Sequence, residues 1–210
     1  ENGIVSDNMG LVRLEKTLME NNYRHLTFRN SLLATSPLTF HACTLRCDIP
    51  AAFPLLQTTD DAVLVADVAV IRFGDGLAGT TGDYSYISDA NNAIHFVGTN
   101  PSGGIGVLDA QIEECIIANV QKNGISADMT GGFTTIKLKS FRNTITNALN
   151  GINVKGGISS VDVYDNALAQ IDNLGVSVVN TGNTATTLVH VENSSFTDIG
   201  HAGITATGVA

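Results

Sequence analysis

One frame recurs along this chain and limits what it can become. It reads Ile112-x-x-Cys115-x-Ile117-x-x-Val120-x-x-x-Gly124-Ile125-x-Ala127. The same frame returns position for position from Val163 through Gly175-Val176-x-Val178, and from Val191 through Gly203-Ile204-x-Ala206. A looser copy runs from Leu138 to Gly151-Ile152-x-Val154, with one extra residue before its glycine. Upstream, the opening half appears as Leu14-x-x-Thr17-x-Met19, Phe40-x-x-Cys43-x-Leu45 and Val65-x-x-Val68-x-Val70. Starts at 14, 40, 65, 112, 138, 163 and 191 predict a period of about 25 with one doubled gap. The triplet Asn-Gly-Ile marks the closing half at Asn2, Asn123 and Asn150. A repeat this short buries its apolar side only against its neighbours, so the units must stack.

The residues inside each unit select the kind of stack. A leucine-rich repeat of similar length carries a helical limb rich in Leu. Here the apolar limbs are short and mostly β-branched, as in "GISA", "GINV" and "GVSV", and Asn, Asp, Gly and Thr separate them. Those separators tolerate turns and left-handed backbone. The 21 glycines, 43% apolar content and only 15% charge fit short strands better than helices. Two or three strands per unit make a β-solenoid, and an antiparallel sandwich of short strands remains the alternative.

On these residues the chain resembles the right-handed parallel β-helix, the pectin-lyase-like superfamily. The resemblance covers residues 110–210 well and 11–73 moderately, and it rests on the coil pattern, not on a catalytic signature. It implies an all-β single domain over 1–210, with about eight coils of roughly 25 residues and a protruding loop near 74–92.

Stacking makes side-chain predictions. Coils about 4.8 Å apart turn equivalent positions into columns along the axis. The first frame position and the one five later are both mostly apolar. An odd separation between inward positions requires a bend, because side chains alternate along a straight strand. Asn143 interrupts the second column, so a bulge is expected there. Cys43 and Cys115 share a frame position about three coils apart, some 14 Å, too far for a disulfide. Buried thiols acting as small hydrophobes are expected instead. His41-x-Cys43-x-x-x-Cys47 has no common zinc spacing and no second ligand pair.

Residues 74–92, "GDGLAGTTGDYSYISDANN", are expected either to protrude as a loop or to hide a degenerate coil, with 92–97 resuming the stack as a strand. Asp75 and Asp83 among glycines are Ca²⁺ candidates, although their spacing matches no defined calcium loop. Without them, no cofactor is expected.

Charge narrows the partners. A net charge of −9, from 20 acidic and 11 basic residues, disfavours a nucleic-acid surface. No run of 18 apolar residues predicts a membrane span. There is no initiator Met or secretory signal at residue 1, so the chain reads as a mature product or a piece of a longer protein. The resemblance implies an extracellular, cell-surface or virion setting.

Many relatives of this fold cleave acidic polysaccharides, and such chemistry needs carboxylates gathered on one exposed face. The frame brings Asp162, Asp165, His190 and Glu192 toward one another across two neighbouring coils. It also places Glu113 beside Lys139 as a cross-strand ion pair on what is otherwise an ordinary solvated face. "GHAG" at 200–203 resembles the Gly-His-Gly element of polygalacturonases with one residue inserted, but the companion motifs are absent. The leading expectation is therefore a structural or adhesive solenoid (filament, stalk or fibre) that self-associates through its ends. A polysaccharide lyase or glycoside hydrolase, or a non-catalytic glycan-binding module, is the alternative.

Overall fold

Short β-branched runs separated by turn-forming residues become strands throughout. The computed structural model describes residues 2–7, 12–20, 22, 24–30, 38–47, 61–74, 84–98, 107–128, 135–181 and 187–208. Among them there are nineteen strands and no helix. The strands form two sheets, and every pairing is parallel.

One row of the larger sheet runs through β1 (Asn2–Asp7), β4 (Arg24–Arg29), β7 (Val63–Ala66) and β10 (Asn92–Val97). It continues through β12 (Cys115–Asp128), β14 (Thr144–Gly156) and β16 (Ala167–Asn180) to β19 (Ala202–Gly208). The second row of that sheet starts at β3 (Leu18–Glu20), β6 (Thr44–Arg46) and β9 (Ser85–Ser88). It then joins the leading halves of β12, β14 and β16 and finishes on β18 (Ser195–Ile199). The smaller sheet stacks β2 (Val12–Glu15), β5 (Leu38–His41), β8 (Val70–Phe73) and β11 (Val107–Glu113). Its remaining members are β13 (Thr135–Phe141), β15 (Ile158–Tyr164) and β17 (Leu188–Glu192).

Register turns the Asn-Gly-Ile echo into a column. Ile4 pairs with Leu26, then Val63, Ile94, Ile125, Ile152, Val176 and Ile204. Successive members are 22 to 37 residues apart, so the interval is more variable than the expected 25. Gly124, Gly151 and Gly175 lie beside the column because no side chain fits there. A Cβ on Gly151 would stand 2.4 Å from Leu168 Cδ2 and 2.5 Å from the Gly175 carbonyl oxygen.

The expected bend is present, and its cause is visible in the backbone. Lys16, Ala42, Glu114, Arg142, Asp165 and Asn193 each adopt a left-handed φ of 47–53° between the smaller sheet and the next strand. A single left-handed residue turns the chain, and inward positions on its two sides can then be separated by an odd number. A second set, Asn119, Asn147, Gln170 and Asp198, bends the larger sheet in the same way.

Two frame assignments are corrected by register. Ile112 pairs with Ser140, not Leu138, and Ile117 pairs with Ile145. Ser140 is a buried polar residue at an inward position, so an apolar pattern passes over it. The frame therefore does not gain a residue before Gly151. The chain from Ala148 to Asn150 is one residue shorter than from Val120 to Asn123, and the bulge falls there instead of at Asn143. Likewise Phe40 pairs with Phe73, whereas Val65 belongs to the other sheet beside Phe28 and Phe96.

The doubled gap also dissolves. Within 74–92, Ser85–Ser88 is strand β9 in register with Thr44–Arg46 and Cys115–Ala118, so this part of the segment belongs to a rank, as the degenerate-coil alternative expected, and residues 75–83 lie outside the described ones. Residues 92–97 resume the stack as anticipated. Asp75 and Asp83 lie outside the described residues.

The core lies between the sheets. Upstream it is aromatic, with Phe40 stacked on Phe73 at 4.3 Å and edge-on to Phe28 at 5.2 Å. Downstream it is aliphatic, built on buried Ile112, Ile117, Ile145, Val163 and Leu168. All three cysteines are free and buried. Cys43 and Cys115 both neighbour Ser85, so two rank spacings separate them rather than three, about 10 Å. That is still beyond disulfide reach.

Candidate functional site

The outer face of the smaller sheet gathers three of the four residues singled out by sequence. Asp162 pairs in register with His190, and Tyr164 with Glu192. Tyr164 OH donates to Asp162 Oδ1 at 3.2 Å, and its oxygen lies 2.9 Å from His190 Nδ1. His190 Nε2 stands 3.6 Å from Glu192 Oε2, and the two side chains are 46% and 55% exposed. The Tyr164 and His190 rings meet edge-on at 5.0 Å. Partial desolvation, together with the Asp162 and Glu192 carboxylates, raises the phenol above its ordinary pKa, so Tyr164 stays protonated. The result is a continuous polar chain, Asp162–Tyr164–His190–Glu192, open to solvent. It can exchange protons and hydrogen-bond to hydroxyl groups.

Asp165 is not part of it. Its φ of 50° places it on the bend, where its N–H donates to the Glu192 carbonyl at 3.1 Å. The expected Glu113–Lys139 pair is also absent, because Lys139 faces Gln111 and Glu113 faces Phe141. The two-residue shift follows from Ser140 holding the inward position. Arg142 takes the pairing role, reaching Glu114 at 2.9 Å and Glu113 at 3.8 Å while covering the Phe141 ring.

Beneath this face runs a buried ladder of amides. Cys115 N–H donates to Asn143 Oδ1, Asn143 N–H to Asn166 Oδ1, and Asn166 N–H to Ser194 Oγ. Asn166 Nδ2 donates to the carbonyls of Ser140 and Tyr164, each at 2.8 Å. Strand-exit backbone groups that the bend leaves unpaired are satisfied in this way. The ladder fixes the strands that carry Asp162 and Tyr164.

A second polar cluster escaped the sequence pattern. Asp61 Oδ2 lies 2.7 Å from His95 Nδ1, and Asn92 Nδ2 donates to Asp61 Oδ1 at 2.6 Å. Asn123 donates to Asn92 in turn, and Asn150 to Asn123. Burial by itself raises the Asp61 pKa, but the His95 hydrogen bond and charge, Asn92 and Arg24 together hold it below the ordinary value. Asp61 stood in the "TTDD" run and His95 in "NAIHFV", 34 residues apart. Only the Asn column of the repeat pointed to their meeting.

Two cavities lie apart from these clusters among the described residues. One cavity of about 290 Å³ is lined by Val178, Asn180, Val189 and Ala206, at the last rank. Another of the same volume sits at the second bend, lined by Asn119, Gln121, Asn147, Leu149 and Asp172. No group of three or more His, Cys, Asp or Glu among the described residues is arranged to hold a metal ion. No helix among them is long and apolar enough to cross a membrane. Comparison with protein families, curated proteins and solved structures finds no match for the chain.

Proposed function

We propose that the chain is a right-handed parallel β-helix serving as an extracellular scaffold module of the stalk, fibre or surface type, extended by pairing at its terminal ranks. The observation that carries this reading is the unbroken column from Ile4 to Ile204, eight residues in parallel register. Ordered repetition along one axis makes a rod, and each rank is stabilised by its neighbours. Between the terminal ranks the column is sealed. In the last rank the core-facing Ile204 is 46% exposed, and Val189, Val191 and Phe196 pack only partly buried against the core. An unpaired strand row with apolar side chains invites another row. A second copy provides one at its first rank, where Asn2-Gly3-Ile4 repeats the triplet. This reading requires no cofactor.

Sedimentation velocity over a wide concentration range, with electron micrographs of the same samples, tests the proposal. Rods that lengthen with concentration are expected. A monodisperse monomer throughout overturns assembly through the ends.

The Asp162–Tyr164–His190–Glu192 chain motivates a second reading, a glycan-cleaving or glycan-binding face. Cleavage in a panel of acidic and neutral glycans, abolished by Asp162→Asn or Glu192→Gln, is its expected result. Binding without turnover leaves a recognition module, and an outcome of neither cleavage nor binding across the panel overturns the reading.

A further inference from the structure

The two ends of the stack do not complement each other, and the mismatch is one strand. Among the described residues, the row from β1 to β19 holds eight members, whereas the second row of that sheet and the smaller sheet hold seven each. Between any two successive members of the first row, the chain visits the smaller sheet once and the second row once. The outermost described strands, β1 and β19, therefore belong to the same row.

A second copy stacked on the last rank meets two geometries. If its β1 sits on β19, its β2 and β3 lie two rank spacings from β17 and β18, about 10 Å, and both of those rows keep an empty slot. If its β2 and β3 pair with β17 and β18 instead, its β1 and the first copy's β19 fall on the same place along β16. Only one of them fits there. The second geometry is the one that the side chains complete. Leu14 and Val191 end one inward column, Val12 and Val189 another. Met19 and Phe196 end a third. All six are only partly buried, and this junction covers each with the other end of its own column.

Of the two competing strands, β19 is the looser. Ile204 is 46% exposed, and a Cβ on Gly203 would meet nothing nearer than Phe196 Cγ at 3.8 Å. In contrast, β1 is tied to the rank above it, where Asn30 Nδ2 donates to Asp7 Oδ1 at 2.8 Å. We propose that β19 is a self-capping strand, which holds on β16 the place that β1 of a second copy must take before all three rows can join. This rests on assembly through the terminal ranks and adds its control. While β19 is seated, copies meet through one row only, and its release opens a three-row junction.

The test places cysteines at Leu18 and Ser195 of the full chain, two exposed positions at the ends of one column. In the three-row junction they stand about 4.8 Å apart, within disulfide reach, and with β19 seated they stand about 10 Å apart, beyond it. Ile204→Pro with Thr205→Pro releases β19, because one of two consecutive N–H groups faces β16 and proline donates none. Air oxidation should leave the parent cysteine pair unlinked and shift the released variant to disulfide-linked oligomers, with the 18–195 linkage read by peptide mass spectrometry. Ile4→Pro with Val5→Pro removes the other competitor and should give the same oligomers. Circular dichroism of each variant confirms that the fold is retained. The proposal is overturned if the parent pair links as readily as the released variants, or if neither folded variant links these residues. Rods of the parent without linkage in the variants sink the self-capping alone. A monodisperse parent with linked variants upholds it and overturns only assembly of the chain with β19 seated.

Discussion

Two polar regions lie a few residues apart along the chain, and they do different work. The bend ladder of Ser140, Asn143 and Asn166 is buried, and each of its amides is spent on backbone. The face carrying Asp162, His190 and Glu192 is open, and its groups bond mainly to one another. Both contain polar residues in register. What separates them is side: the ladder points inward at the corner, where a lost partner strands a buried group, while the face points to water, which replaces any partner it loses.

The sharpest way to break this contrast is Asn166→Ala. It strips partners from the Asn143 N–H, the Ser140 hydroxyl and the carbonyls of Ser140 and Tyr164. At about 1–3 kcal/mol for a buried group left unsatisfied, a loss of roughly 3–5 kcal/mol is expected, measured by urea unfolding. A loss below 1 kcal/mol would mean that the ladder is decorative.

Histidine gives an intermediate case, because the chain has one in each setting. His25 is fully buried, and its Nε2 has no partner among the described residues. Burial lowers its pKa from 6.5, with the Arg46 backbone opposing in part. The unfolded chain therefore binds a proton near pH 6 that the folded chain refuses. Stability should be full above pH 6.5 and fall as pH drops below it, until the lowered folded pKa is reached. A pH series of unfolding midpoints checks this, and His25→Asn should flatten the fall below pH 6.5.

The smallest effect belongs to the open face. Glu192→Gln removes one side of the 3.6 Å contact with His190, where both partners are about half exposed. Stability should change by less than about 0.5 kcal/mol, because surface ion pairs contribute little. A cost comparable to that of Asn166→Ala would show that the face, too, is structural.

Much of this was legible in the sequence, and the failures share a cause. Strand character, the stacked columns and the bend followed from the β-branched limbs and the odd spacing of inward residues. So did the meeting of Asp162, His190 and Glu192, because Val163 and Val191 both keep the apolar frame position and pair in register. The misses arose where polarity and position disagreed. Ser140 is inward and polar, so Leu138 took its place in the frame and displaced Glu113 and Lys139 with it. Phe73 was passed over because Val65 imitated the pattern from the other sheet. Asp61 and His95 were missed because each stands alone in sequence. Only the Asn92–Asn123–Asn150 column brings them into one place.

The uneven spacing along the Ile4–Ile204 column has a further consequence. Between 22 and 37 residues complete one step, yet each step ends on the same register. A step with more residues therefore adds no rank. Length along the axis is counted in ranks, whatever the number of residues between them. Such a chain accepts new sequence at its sides at little cost to the stack, since loop length enters closure entropy only logarithmically. Growth in reach, by contrast, requires a whole added rank.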